Sequence, residues 1–467
     1  MVNRSASLHP QPIAHAPLGQ ALAFGMGALL ILVAPLMRGG NRGVALILLE
    51  GLALAVLLCL ALAWAQGARD GWGTGKGRWG LVLLAGAPLW IALLQLTPLP
   101  PALWEALPGR AFYQGLLSNL GIAAPGWRPA SLTPDATRVS VLAGLPIVAC
   151  FALGLSCTRE QLRVLMRLWI ASALLQALLG LAQLGSPGPL HFGSLFTGVI
   201  GTFANSNHLA GFLAMMLPLG VMELQRALRE GDHQGKHLSS AGWLWGLALF
   251  VMVTAVLAGQ SRTGLVTAVL VTVGALLLLP GQWGHRISWR WRLGALVLAV
   301  LLAFATVGLK GLQRFEGAVL SQDASVRQLA FDGAWAAARE FWPAGSGLGS
   351  FAVVYPRFQP AATGNDFVEH AHSDYVQLLM ETGLPGVLLG AVALALALAQ
   401  AARLGKRIVG RHSLRSEEQY MLVAGLGLVA LLLHAWVDFN MRIPALAMLG
   451  AFLFGVFLRP RAGQRDI

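Results

Sequence analysis

Charge is what this sequence has least of. Only 11% of its 467 residues are Asp, Glu, Lys or Arg, where soluble domains carry about a quarter. That shortage excludes a water-facing surface over most of the chain. Cysteine is scarce as well: Cys59, Cys150 and Cys157 lie in or beside apolar runs, at spacings that suggest neither a disulfide framework nor a zinc site. The opening stretch, "MVNRSASLHPQPIAHAPLGQ", lacks the short apolar segment and small-residue cleavage site of a removable signal, so the first span is expected to double as the targeting signal. Acidic residues are outnumbered, 20 against 33 basic ones, for a net charge of +13. In a soluble protein this excess would suggest nucleic acid. In a membrane protein Lys and Arg gather in cytoplasmic loops, and no nucleic-acid partner is expected.

What the chain has instead is apolar length. Hydrophobic residues make up 56% of it and the mean hydropathy is +0.66. The runs of roughly 17–22 apolar residues are long enough to cross a hydrocarbon core of about 30 Å as helix. The expectation is an all-α integral membrane protein with twelve spans near 18–37, 43–65, 79–97, 139–156, 164–184, 207–225, 242–258, 263–280, 293–311, 374–402, 419–437 and 443–458. The long connections are 98–138 and 312–373, rich in Trp, Pro, Gly and charge. The chain divides accordingly into nine helices over 1–311, a loop with room for a small helical cap over 312–373, and three helices with a tail over 374–467.

Basic residues orient this array. With the N-terminus in the cytoplasm, the short inner segments carry 21 Lys and Arg, against four in short outer turns: Arg38, Arg42, Arg262 and Arg442. Both termini are therefore expected inside and 312–373 outside.

Once oriented, the unusual polar groups gather on the outer face. They are "GTFANSNHLAG" (201–211), "GQSRTGL" (259–265), "SVRQLAFDGAW" (325–335), "GSGLGSFAVVYPRF" (345–358), "VEHAHSDY" (368–375) and "WVDFNMRIP" (436–444). Each has a plain reading beside a functional one. Arg262 can snorkel to headgroups or grip a phosphate with its fork, and Arg327 can lie on a solvated helix face or do the same. Asn205 and Asn207, beside His208, can cap the sixth span; Asp438 and Asn440 can cap the last. "GSGLGS" reads better as a flexible hinge than as a phosphate-cradling loop, because no strand precedes it. Glu50, about 10 Å inside the second span, suggests a cavity reaching below the headgroups.

His370 and His372 share a face only in extended backbone. They can ligate a metal with Glu369 or Asp374, form a solvated interfacial pair, or serve a proton transfer. No third ligand stands at recognisable spacing. A neutral imidazole suits a general base, and the arginines on the same face suit a phosphate.

These residues resemble the O-antigen ligase and polymerase superfamily of bacterial inner-membrane glycosyltransferases. "HSDYVQLLMETGLPG" (372–386) fits its pattern of His, then Asn, Ser or Gln, nine residues, Gly, two residues and a small residue, at His372, Ser373, Gly383 and Gly386. "GTFANSNHLAG", "SRTGL", the Arg327 segment with "GSGLGSF", and "VDFN" have counterparts in the same order, so the resemblance covers roughly 200–445. It implies a GT-C-like membrane glycosyltransferase that moves a glycan from undecaprenyl diphosphate to an acceptor hydroxyl outside the inner membrane. By resemblance His372 is the catalytic histidine and Arg262 and Arg327 contact the diphosphate. Asn205, Asn207, His208, His370 and Asp438 are further candidates for substrate binding.

The chemistry needs no nucleotide, because the diphosphate is already a good leaving group. Two arginines can take up its growing charge and one histidine the acceptor proton, so no metal or cofactor is required and attack opposite the diphosphate inverts the anomeric centre. The expected partners are the lipid-linked donor, a lipid A–core acceptor and membrane lipid. The favoured reading is a lipopolysaccharide O-antigen ligase. An O-antigen or exopolysaccharide polymerase is the rival with the same chemistry. A flippase would place ionisable residues at midplane and show an inverted repeat, and neither pattern is evident.

Overall fold

The computed structural model describes residues 18–67, 80–81, 84, 86–122, 126–184, 189–191, 198–233, 239–279, 318–363, 367–409 and 414–460. The chain forms an all-α, multi-pass membrane protein. Among the described residues the main helices in chain order, besides a single turn at Leu36–Gly39, are α1 (Leu18–Val33), α2 (Gly43–Ala65), α3 (Ala87–Leu96), α4 (Pro101–Ala106), α5 (Arg110–Asn119), α6 (Pro134–Ser156), α7 (Arg159–Ala182), α8 (Ser206–His233), α9 (Ser240–Ala258), α10 (Arg262–Leu278), α11 (Ala318–Glu340), α12 (Phe351–Val354), α13 (Asp374–Val409), α14 (Ser416–His434) and α15 (Pro444–Phe457). Among the described residues seven helices are long and apolar enough to cross a membrane, and α1, α10 and α15 are shorter apolar helices. The third expected span is described mainly as α3. The ninth, 293–311, lies outside the described residues.

Local sequence explains where several helices begin. Thr158 and Gln161 form a capping box at the start of α7, and the Ser239 and Ser261 hydroxyls accept from backbone N–H groups in the first turns of α9 and α10. Of the spans, α8 is the most enclosed, with 89% of its apolar stretch buried. It packs against α7, α9, α10 and α14. Close crossings use small residues: a Cβ on Gly154 of α6 would run into the backbone of α15, and one on Gly455 into that of α6.

The two ends of the bundle differ. At one end arginines meet buried acids: Glu223 (2% exposed) accepts from Arg167 at 2.8 Å and Arg226 at 3.2 Å, and Arg407 lies 3.0 Å from Glu418. At the other end sits a small cap. It is built from α4, α5, a two-residue antiparallel pair (β1, Pro98–Leu99, with β2, Arg128–Pro129), α11 and α12. Its core includes Ala330, Ala334, Ala337, Phe341, Phe351, Tyr355 and Met380. The alanines recur at helical spacing and let α11 lie close against α13.

Two expectations change here. The segment "GSGLGS" is not a flexible hinge. Ser346 and Ser350 are fully buried, and Gly345, Gly347 and Gly349 adopt positive φ, where only glycine is unstrained. Its N–H groups donate to Met380 and Glu381 carbonyls and, from Leu348, to Gln95 Oε1. Those donors are spent on protein, so the loop is a bracket between cap and bundle and not a phosphate cradle. The tenth span, expected to run unbroken from 374, is interrupted at Gly383 (φ 58°, ψ −142°). A Cβ there would meet the Pro343 carbonyl, so glycine at 383 is a backbone requirement. Residues 374–382 form a separate two-turn helix belonging to the site, with Asp374, Gln377 and Glu381 all buried.

Candidate functional site

Phe439 is the centre of the capped end. The rings of His370, His372 and His208 surround it, with centroids 4.4, 5.3 and 5.0 Å away. Histidines two apart reach one ring because residues 370–372 are not helical, and His372 itself has φ +51°. A left-handed conformation at a non-glycine residue stores strain, which clusters at functional sites. The His372 side chain is 25% exposed, so it is reachable from outside, and its Nδ1 stands 3.7 Å from Asp438 Oδ1. That separation is longer than a hydrogen bond.

Asp438 is held from several directions. Its Oδ2 accepts from Asn207 Nδ2 at 2.8 Å and its Oδ1 from the Phe439 N–H at 2.9 Å. Burial pushes this carboxyl up, but His372 beside it, together with His208 and the positive Arg327, outweighs burial and holds it well below the usual carboxylate range. It is ionised at neutral pH. His372 Nδ1 faces this anion and is itself buried, with no hydrogen-bond partner among the described residues. His370 differs: burial, then the charge of Arg442, pushes its imidazole down to about 3. So weakly basic a ring is a poor proton acceptor near neutrality.

The plain readings now separate. Asn205 caps α8, its Oδ1 accepting from the Asn207 N–H at 2.9 Å, while Asn207 itself turns to Asp438. Asp438 and Asn440 do not cap α15, whose first turn has no side-chain cap. Arg327 is half-buried and shares the helix face of Ala330 and Ala334, which points into the cap. It is close enough to Asp438 to act on its charge, so the solvated-face reading does not hold. Arg262 is exposed in the first turn of α10. The close packing of Gly264 on Ala210 brings that turn level with His208. Glu50 is half-buried on α2 and has no hydrogen-bond partner among the described residues. Among the described residues no three His, Cys, Asp or Glu side chains gather as metal ligands. His370 and His372 are turned to Phe439 and Asp438 instead.

Other site residues carried no motif. Gln377 and Glu381 extend the Asp374 face of the 374–382 helix at i+3 and i+7, a spacing legible in the sequence but not singled out. Arg442, counted only as an outer charge, donates to Glu381 at 2.8 Å. His434 and Asn440 are buried beside Gly211, and no partner for their side-chain nitrogens, or for the Asn440 carbonyl oxygen, occurs among the described residues. Such groups cost about 1–3 kcal/mol each unless water reaches them.

Residues 247–391 match the family described as O-antigen ligase. The matched segment carries Arg262, Arg327, His370, His372, Glu381 and Gly383, and it bears out the resemblance read from the motifs. It does not reach Asn207, His208 or Asp438. No curated protein matches the chain.

Proposed function

We propose that this membrane protein is a glycosyltransferase of the O-antigen ligase type, moving a glycan from undecaprenyl diphosphate to a hydroxyl of lipid A–core at the outer face of the bacterial inner membrane. The observation that supports it most is the pair of His372 and ionised Asp438 at 3.7 Å, at the end of the bundle that carries the cap. Asp438 fixes the tautomer of His372 and offsets the charge its ring gains. Nε2 takes the acceptor proton as the hydroxyl oxygen bonds to the anomeric carbon, and the bond to the diphosphate oxygen breaks on the opposite side, inverting that centre. Arg262 and Arg327 receive the leaving diphosphate, for which guanidinium forks are well suited.

The capped end then faces the periplasm, and the end rich in arginine faces the cytoplasm with both termini, in keeping with the basic-residue asymmetry. The family match accommodates a polymerase as well, with a second lipid-linked glycan as acceptor. Purified protein given lipid-linked glycan with lipid A–core, and separately with lipid-linked glycan alone, decides between them. Elongated core supports the ligase; polymer formed only in the second reaction overturns it.

A further inference from the structure

Glu381 is fully buried, and more converges on it than packing requires. Its Oε2 accepts from Arg442 at 2.8 Å, and its Oε1 from Gln377 Nε2 at 3.2 Å and the Phe351 N–H at 3.4 Å. Its main-chain carbonyl accepts from Gln95 Nε2 at 2.7 Å and from the Gly347 N–H at 2.9 Å. The cap, the glycine bracket and the 374–382 helix therefore meet at this residue.

Two arms lead from it to the reacting pair. Through Arg442 it reaches Asp374, at 4.0 Å, whose other oxygen accepts from the Met441 N–H at 2.8 Å. The Asp374 N–H in turn donates to the Ala435 and Asp438 carbonyls, which fixes the turn holding Asp438. Through Gln377 it reaches the other side: Gln377 Oε1 accepts from the Ala371 N–H, between the two histidines, and its amide nitrogen stands 3.4 Å from His370 Nδ1.

We propose that the Glu381–Arg442 pair is a positioning device for the transfer reaction, one arm holding the Asp438 turn and the other the strained His370–His372 segment, so that His372 stays opposite Asp438. The proposal rests on the glycosyl-transfer reading for its kinetic consequences but not for its structural ones. A buried ion pair serving stability alone is replaceable by apolar residues with little loss. A positioning pair is not, because a shift of about 1 Å at a reacting group costs on the order of a hundredfold in rate.

The test is the double variant Glu381→Leu with Arg442→Met, beside the milder Glu381→Gln, in detergent-purified full-length protein. Turnover should fall about tenfold to a hundredfold with donor KM unchanged. NMR of histidine-labelled protein gives a second readout independent of the reaction. The groups facing His370 are Arg442 from the turn, Gln377 from the short helix, His372 from its own segment and His208 from α8. Removing Arg442 takes away the main charge opposing protonation, so the His370 signal, identified by its loss in His370→Gln, should titrate clearly above about 3. In Glu381→Gln, where Arg442 remains, the slowed turnover and a changed His372 shift are expected. Full turnover in a folded double variant would overturn the proposal. So would a Glu381→Gln enzyme identical to wild type in rate and His372 shift. If wild-type protein transfers no glycan, the glycosyltransferase reading fails while the NMR arm still decides the positioning role.

Discussion

The two ends of the helix bundle both pair their buried acids with arginines, but they differ in backbone strain and in unpartnered polar groups. At the arginine-rich end Glu223 has Arg167 on one oxygen and Arg226 on the other, with the Tyr420 hydroxyl alongside. Backbone there is relaxed and capped, as at Thr158. At the capped end His372 is left-handed, His434 and Asn440 keep polar atoms without partners among the described residues, and three imidazoles crowd one phenyl ring. A sequence under selection for stability alone would relieve such features, and natural proteins retain them where they act. The contrast makes the capped end the candidate for chemistry and the other end the one that holds the molecule together.

Substitutions at the two ends should therefore differ in kind. After loss of His372 itself, the largest effect is expected from Asp438→Asn. The amide keeps the shape but can present the wrong tautomer partner to Nδ1, and turnover should drop by about a hundredfold with donor binding retained. Measured kcat and donor affinity check this. Arg262→Lys and Arg327→Ala come next. Each should weaken donor binding by about tenfold to a hundredfold, the worth of one charged hydrogen bond, read from titration with the lipid-linked donor. Transfer should also survive chelation by EDTA, since the arginines are assigned the diphosphate charge; activity lost to EDTA and restored by one divalent ion would reassign His370 and His372 as ligands.

Acid stability gives a smaller effect. The folded pKa of His370 lies below its unfolded value of about 6.5, so the unfolded chain takes up the proton first. The stability tied to this residue is complete above about pH 6.5 and is lost as the pH falls toward about 3. His370→Gln should flatten the dependence of the thermal midpoint on pH in that window. The smallest effect on activity is expected at the other end. Arg226→Met leaves Glu223 with Arg167 and Tyr420, so stability should fall by about 1–3 kcal/mol while turnover per folded molecule is unchanged. A rate loss there would erase the distinction between the ends.

Much of this was legible in the sequence because lipid imposes simple rules. Apolar length located α2 at residues 43–65, the limits the structure shows, and polar clusters at span ends marked His372, Asn207, His208 and Asp438. What was not legible depended on direction rather than on residue type. A run of apolar residues from 374 reads as continuous helix, and only the packing of Gly383 against the Pro343 carbonyl reveals the break. Nothing in the sequence around Glu381 sets it apart. Its importance comes from residues distant in sequence, Gln95, Phe351 and Arg442, converging on one carboxylate. Glycine richness in "GSGLGS" suggested mobility, yet the missing side chains serve close packing.

In the proposed reaction His372 performs the proton transfer and does not merely hold substrate. Turnover and donor affinity of His372→Ala, measured on the same purified preparation, test it most directly. Transfer should fall by about 100- to 10,000-fold, the usual worth of a general base, with affinity for the lipid-linked donor close to wild type. Normal turnover, or donor affinity lost in His372→Ala but kept in the Arg262 and Arg327 variants, would contradict it.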